Sequence, residues 1–290
     1  MVYPMFILIG YLLTLASIFG SYIAGGGHVA ALFQPLELVM IFGGATGAFV
    51  GGNGGKPLKA AGKAIPAVFK GGKAKKDLFL ELFALLFEIL SKARKEGLMS
   101  IEADIEDPHA SPIFSKYPKV LADHHVADFI TDYLRMMVSG NLNAMEMESL
   151  MDMEIDTHHV EGHAPIHAVQ GLADGMPAFG IVAAVMGVVH VMESLFLPPT
   201  QLGELIAHAL VGTFLGILLS YGFVAPIASA MTHRLEEDTV VYRCIKLVLL
   251  ASVNGVAPQA AMEFGRKALF SPDRPSFAEL EEHLKQARGK

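Results

Sequence analysis

The sequence has no tryptophan and a single cysteine, Cys244, among its 290 residues. One thiol excludes an internal disulfide and makes a cysteine-based metal site unfavourable. Charge is scarce too. Asp, Glu, Lys and Arg make up 18% of the chain, against about 25% in a typical soluble domain. Basic residues are outnumbered, 22 to 29, for a formal net charge of −7. That sign is wrong for a surface that neutralises phosphates, so no nucleic acid partner is expected. What the chain has instead is apolar bulk: 52% hydrophobic residues and 29 glycines, with a mean hydropathy of +0.45. This argues against disorder and points to a membrane protein with a large water-exposed part.

Four apolar runs carry that bulk: 5–24, 32–52, 177–197 and 205–230. The first has no charge, and at about 1.5 Å per residue it covers the roughly 30 Å hydrocarbon core. The second contains one acid, Glu37, near its start. A short turn, 198–203, separates the last two. Lys and Arg are absent from 1–52 and from 177–230, while thirteen lie in 53–176 and nine in 231–290. Basic residues near span ends stay on the cytoplasmic side. The expected organisation is therefore all-α: a transmembrane hairpin at 1–52, a cytoplasmic helical domain at 53–176, a second hairpin at 177–230 and a cytoplasmic helical tail at 231–290. Both termini are expected inside, with links 25–31 and 198–203 outside. The segment 53–76 holds seven lysines and no acid, which suits anionic lipid headgroups. A cleaved signal peptide would need a basic start, and residues 1–5 have none. A soluble bundle would have no reason to keep Lys and Arg out of every run and both links.

The polar stretches read as helical. An interfacial helix is expected over 56–71, then a helix over 77–97 stopped by Gly97. Residues 104–118 read as a proline-punctuated loop or short turns. Helices over 125–139 and 143–155 are joined through Gly140, and the tail gives helices over 238–253 and 276–288. Ser276 followed three residues later by Glu279 fits a capping box.

Several motifs have plainer explanations. The stretch Gly51-Gly52-Asn53-Gly54-Gly55-Lys56 fails as a phosphate loop, because Val50 and Pro57 stand where Gly and Ser/Thr belong. His158, His159, His163 and His167 have helical spacing that can bind zinc, but Pro165 interrupts the register, and a polar segment leading into span three explains them. Small residues form stripes at Gly43/Gly47/Gly51, Gly180/Ala184 and Gly212/Gly216/Ser220, which allow close helix approach within one chain or between copies. Pro177 and Pro226 each remove a helical hydrogen bond and are expected at one cytoplasmic-side depth. The spans lack a deep carboxylate, the usual sign of a proton relay. Glu37, Glu193 and Glu204, with His190 and His208, lie toward outer ends, either as solvated ends or as an ion mouth.

The run Asp174-Gly175-Met176-Pro177-Ala178-Phe179-Gly180, continuing to Val189, closely resembles the third span of the flagellar stator family of MotA proteins (MotA/ExbB/TolQ type). So do Val211-Gly212-Thr213-Phe214-Leu215-Gly216, Tyr221-Gly222-Phe223 and Pro226. Residues 100–106 and 133–141 match as well, and the resemblance covers nearly the whole chain. It implies a multi-pass protein of the bacterial inner membrane, an ion-coupled motor component rather than an enzyme, with no cofactor or metal. The implied assembly is a homo-oligomer, a pentamer, around a MotB-like single-span subunit that supplies the ion-binding Asp. The implied rotor partner is FliG, met through Arg94 and Glu102. Pro177 and Pro226 match the family's functional prolines. Sodium-driven relatives carry a Thr where this chain has Ala184, and Thr213 keeps its hydroxyl, so proton coupling is implied. The alternatives are an ExbB/TolQ-type energiser of another envelope process and a passive membrane scaffold.

Overall fold

The computed structural model describes residues 2–69, 75–140 and 143–288. Residues 70–74 of the lysine-rich segment, and Asn141 at the end of one matched run, lie outside them. Among the described residues there is helix and no strand. Helices long and apolar enough to cross a membrane are Pro4–Ala24, Val29–Gly52, one within Ala144–Glu193 and one within Pro199–Val253. The chain is a multi-pass membrane protein of all-α class. It divides into two compact units. One is Met1–Gly72 with Glu161–Arg234; the other is Lys73–Val160 with Leu235–Lys290.

The first unit begins with α1 (Val2–Ala24). A short 3-10 turn at Val29–Leu32 precedes α2 (Pro35–Gly52), which starts three residues later than the apolar run because Pro35 takes the first turn. The lysine-rich helix α3 covers Gly55–Phe69. One buried cluster of this unit joins Ile41 and Ala45 of α2 to Met176, Ala183, Val211 and Leu215. Large apolar side chains such as Leu12, Leu36, Val185 and Phe196 point outward. Water would not tolerate such a surface, but hydrocarbon solvates it.

The second unit is built around α4 (Lys75–Glu96). Phe79, Leu82, Phe83, Leu85, Leu86, Ile89 and Leu90 leave it apolar on nearly every side, so it runs through the centre of the core. Each such side chain contributes about 1.5–3 kcal/mol on burial. Gly97, at φ 92°, ends it. Where a loop or short turns were expected, 3-10 turns flank α5 (Glu102–Glu106) and α6 (Pro118–Leu121). α7 (His124–Ser139) is capped by Asp123 and stopped by Gly140 in the left-handed region.

α8 (Ala144–Glu193) is one 50-residue helix. It joins the expected helix 143–155, the histidine segment and span three, passing through Pro165 and Pro177. Its start is a full capping box: Asn143 accepts from the Met145 and Glu146 amides, and Glu146 accepts from the Asn143 amide. α9 (Pro199–Leu219) begins inside the expected turn. A π-helical turn, Ser220–Val224, leads into α10 (Ala225–Val253). A helix not expected from sequence, α11 (Pro258–Ala268), packs on α4. There a methyl at Gly265 would lie 2.6 Å from Val248 and 3.0 Å from the buried Cys244 sulfur. α12 (Phe277–Arg288) also lies on α4. The Glu279 amide donates to Ser276 Oγ, and the Ser276 amide donates to Glu279, as the capping box requires.

Several polar groups inside the second unit are paired, whereas His158 Nδ1 is buried with no partner among the described residues. Asp104, 3% exposed, accepts from Lys92 at 2.8 Å and from the Ser111 hydroxyl at 2.6 Å. The Tyr117 and Tyr133 hydroxyls donate to Glu88 and Glu154. Burial first, then those carboxylates, push both phenols far above their usual range.

Candidate ion-coupling site

Span three, the C-terminal part of α8, and α9 run antiparallel and touch through backbone. A methyl at Gly180 would lie 2.8 Å from the Gly212 carbonyl oxygen and 3.1 Å from the Gly216 Cα. One at Gly216 would lie 2.7 Å from the Met176 carbonyl oxygen, and one at Gly187 would meet Ala209 Cβ at 2.7 Å. Two of the small-residue stripes are thus used within the chain. The Gly43/Gly47/Gly51 stripe is different, with nothing within 4 Å of any of the three positions. Its neighbour Gly44 instead receives the ring of Phe179.

This register places the expected residues. Ala184 lies at the Gly212 crossing, its amide 3.2 Å from where a Gly212 methyl would stand. Thr213 follows on α9, half-buried, and its hydroxyl has no partner among the described residues. Pro177 follows Met176 and so stands level with Gly216, half-buried and inside a helix that continues past it. Pro226 comes ten residues after Gly216, roughly 15 Å further along at helical rise. The two prolines therefore do not share a depth, because α9 continues well past the level of Pro177 before Pro226 is reached.

The backbone around Pro226 shows how its missing amide is accommodated. Proline cannot bond to the carbonyl four residues back, here Gly222, and its ring crowds that group. The chain responds with the π turn, in which the Ala225 amide donates to the Ser220 carbonyl, five residues back. Such turns insert one extra residue into a helix and concentrate at functional sites. α1 clasps this one. The Tyr11 hydroxyl donates to the Phe223 carbonyl at 2.7 Å, and the two rings lie 4.9 Å apart. Thr14 stands against Gly222. Ser220 is fully buried, and its hydroxyl has no partner among the described residues. Sequence reasoning missed Tyr11 and took Ser220 only as a member of a small-residue stripe; the signal for the turn was Ser220 and Gly222 just ahead of Pro226.

The acids sit at helix ends. Glu37 lies in the first turn of α2, where the helix dipole favours it, with one oxygen buried and unpartnered among the described residues. Glu193 ends α8, exposed and 3.9 Å from His190; Glu204 is exposed near the start of α9. Between these ends, residues 5–24, 38–52, 177–192 and 205–230 contain no Asp or Glu.

In the second unit, Arg94 stands in the last turn of α4 and Glu102 opens α5, both exposed. Neither has a hydrogen-bond or ion-pair partner among the described residues. Lys92 and Arg135 nearby are both committed, to Asp104 and to Glu106 and Asp132. His158 does not gather the other histidines of its segment into a metal set. It lies beside His125 and Tyr242, with ring centroids 6.0 and 4.8 Å away. Among the described residues no three His, Cys, Asp or Glu side chains are disposed to hold a metal ion.

Comparison with known proteins fits this layout. Residues 8–97 match the family described as Motility protein A N-terminal, and residues 121–243 match the MotA/TolQ/ExbB proton channel family. Motility protein A of Salmonella typhimurium is 51% identical over 284 residues, covering 98% of this chain and 96% of the relative. The chain belongs to the motility protein A family. The Escherichia coli protein of that name is 49% identical over the same shares. The fold also matches a chain in the structure of C. jejuni MotAB, with a TM-score of 0.75 at 20% identity, over 93% of this chain and 98% of that one. Members of the proton channel family move ions rather than transform substrates, and the glycine-packed α8–α9 pair falls within the matched stretch.

Proposed function

We propose that this chain is the stator subunit of a bacterial flagellar motor, coupling proton flow to torque. The observation that carries the reading is the lack of any acid between the ends of the spans, beside a helix pair welded through glycine backbone. A proton path needs a titrating group inside the membrane. Here it comes from outside the chain, as the Asp of a MotB-like single-span subunit. Protons enter from the outer side and neutralise that Asp, which changes the cost of burying it. Each charge that crosses supplies about 2.3 kcal/mol per 100 mV. Pro177 and the π turn before Pro226 are where α8 and the α9–α10 helix yield. Ala184 offers a methyl where sodium would need an oxygen, while Thr213 keeps its hydroxyl on α9.

Hairpins 1–52 and 177–230 lie in the inner membrane, and 53–176 and 231–290 lie in the cytoplasm with both termini. The open Gly43/Gly47/Gly51 stripe faces a neighbouring copy in a pentameric ring. Arg94 and Glu102, exposed and without a partner among the described residues, meet FliG. An ExbB/TolQ-type energiser is the second reading, favoured by the shared family over 121–243. Identity of the co-purifying single-span partner separates the two.

The test is proton flux into liposomes. The chain alone is expected to be silent, and flux is expected with a MotB-like partner and lost when the partner's Asp becomes Asn. Efficient conduction by the chain alone would overturn the reading. Flux that follows external Na⁺ and not pH would overturn the choice of ion.

A further inference from the structure

The second unit holds a cavity of about 370 Å³ beside the C-terminus of α4. Its walls come from α4, α7, α8 and the link between α10 and α11. They are mostly apolar, and three are methionines: Met136, Met137 and Met147. Among the described residues only two polar side chains line it, Arg94 and Ser252. Neither has a hydrogen-bond or ion-pair partner among those residues. Arg94 is the only charged side chain lining it among them, so the site is complementary to an anion attached to an apolar body.

We propose that this cavity is the socket for a helix of the rotor protein that presents one large apolar side chain with a carboxylate one turn away. The proposal rests on the reading that Arg94 faces the rotor, and it adds an apolar anchor to that contact. The volume falls in the range of sites that enclose a ligand group. Flexible thioether walls adapt to a side chain that enters and leaves. Residues three or four apart on a helix lie about 5–6 Å from each other, so an anchored side chain brings its carboxylate to the rim. There the planar guanidinium takes it with two parallel hydrogen bonds. Exposed charge pairs alone are weak and lose strength with salt. An anchor in a desolvated hollow gives the contact a fixed position and a component that salt does not screen.

The test uses the assembled stator with its single-span partner in nanodiscs and purified FliG as the probe. Ser252→Phe fills the cavity and keeps Arg94. It is expected to weaken binding about tenfold and to abolish the part that survives at about 0.5 M salt, as loss of a buried anchor should. Met137→Ala removes a wall without any possible clash and is expected to weaken binding in the same salt-resistant part. If Ser252→Phe does not assemble, Met137→Ala carries the test alone. A photocrosslinking amino acid in place of Met137 is expected to capture FliG in cells. Unchanged binding in both cavity variants, with binding lost in Arg94→Ala, overturns the socket and leaves the rotor-facing role of Arg94 standing. Unchanged binding in all three, Arg94→Ala included, overturns both. Capture of a second copy of this chain in place of FliG also overturns the socket.

Discussion

The hydroxyl of Tyr11 on α1 donates a 2.7 Å hydrogen bond to the backbone carbonyl of Phe223, 212 positions later. The acceptor belongs to the π turn, where the backbone bonding pattern is irregular. α1 thereby ties down the π turn that precedes Pro226. Tyr11→Phe keeps the ring contact and removes only the donor. A single hydrogen bond contributes about 0.5–1.5 kcal/mol net. Motor torque in bead assays is expected to fall while the amount of protein in the membrane stays normal. Normal torque at every load would count against the clasp.

Gly216 faces the Met176 carbonyl so closely that even a methyl cannot fit. Both sides of that contact are backbone, which cannot step aside. Gly216→Ala should separate α8 from α9 at a cost of about 1–3 kcal/mol, as for other overpacked positions. Gly203→Ala, with open space around it, is the control. Thermal unfolding of the two variants in detergent checks this, and equal midpoints would refute it.

Pro177 stands inside α8 level with that contact. Pro177→Leu restores a backbone donor and removes the ring that crowds the preceding turn. Insertion and assembly should survive while torque disappears. Swimming at wild-type speed would discard the hinge.

Arg94 is exposed and unpartnered among the described residues. Arg94→Glu should therefore cost only about 1 kcal/mol of stability, from placing an anion in the last turn of α4. Motility should nevertheless drop sharply, with stator units still assembled at the membrane. Retained swimming in soft agar would remove Arg94 from the rotor contact.

Glu279 receives hydrogen bonds from Lys76 and from Ser276, which hold its carboxyl at about 2, below the ordinary 4.5. A carboxyl depressed on folding stabilises above its unfolded value, and that support fades as pH falls through the folded one. The contribution is thus complete above about pH 4.5 and gone near pH 2. Glu279→Gln should flatten the acid limb of the unfolding curve in that window. An identical limb in both proteins would show the pair to be idle.

Hydropathy made the four spans legible, because a bilayer imposes composition over some twenty residues at once. Side-chain chemistry at single points was harder to read. Pro165 looked like a break in the histidine segment, yet α8 passes through it, since one lost hydrogen bond is a small fraction of a 50-residue helix. The π turn was invisible because no periodicity announces one extra residue. α11 was missed although Pro258 marks its first turn; what holds it is Gly265 against α4 and α10, a long-range contact. The roles of Arg94 and Glu102 came from resemblance. Their physical mark, charge without a partner, needed the fold.

Cys244, the lone thiol, is sealed beneath Gly265 with none of its surface open. The natural protein is consequently silent toward maleimide dyes and spin labels. A cysteine introduced at any exposed position would be the sole reactive handle, with no need to replace the native one and disturb the core. Pairs of such cysteines would let distances within either unit be followed by spectroscopy on an otherwise unaltered chain, free of tryptophan fluorescence as well.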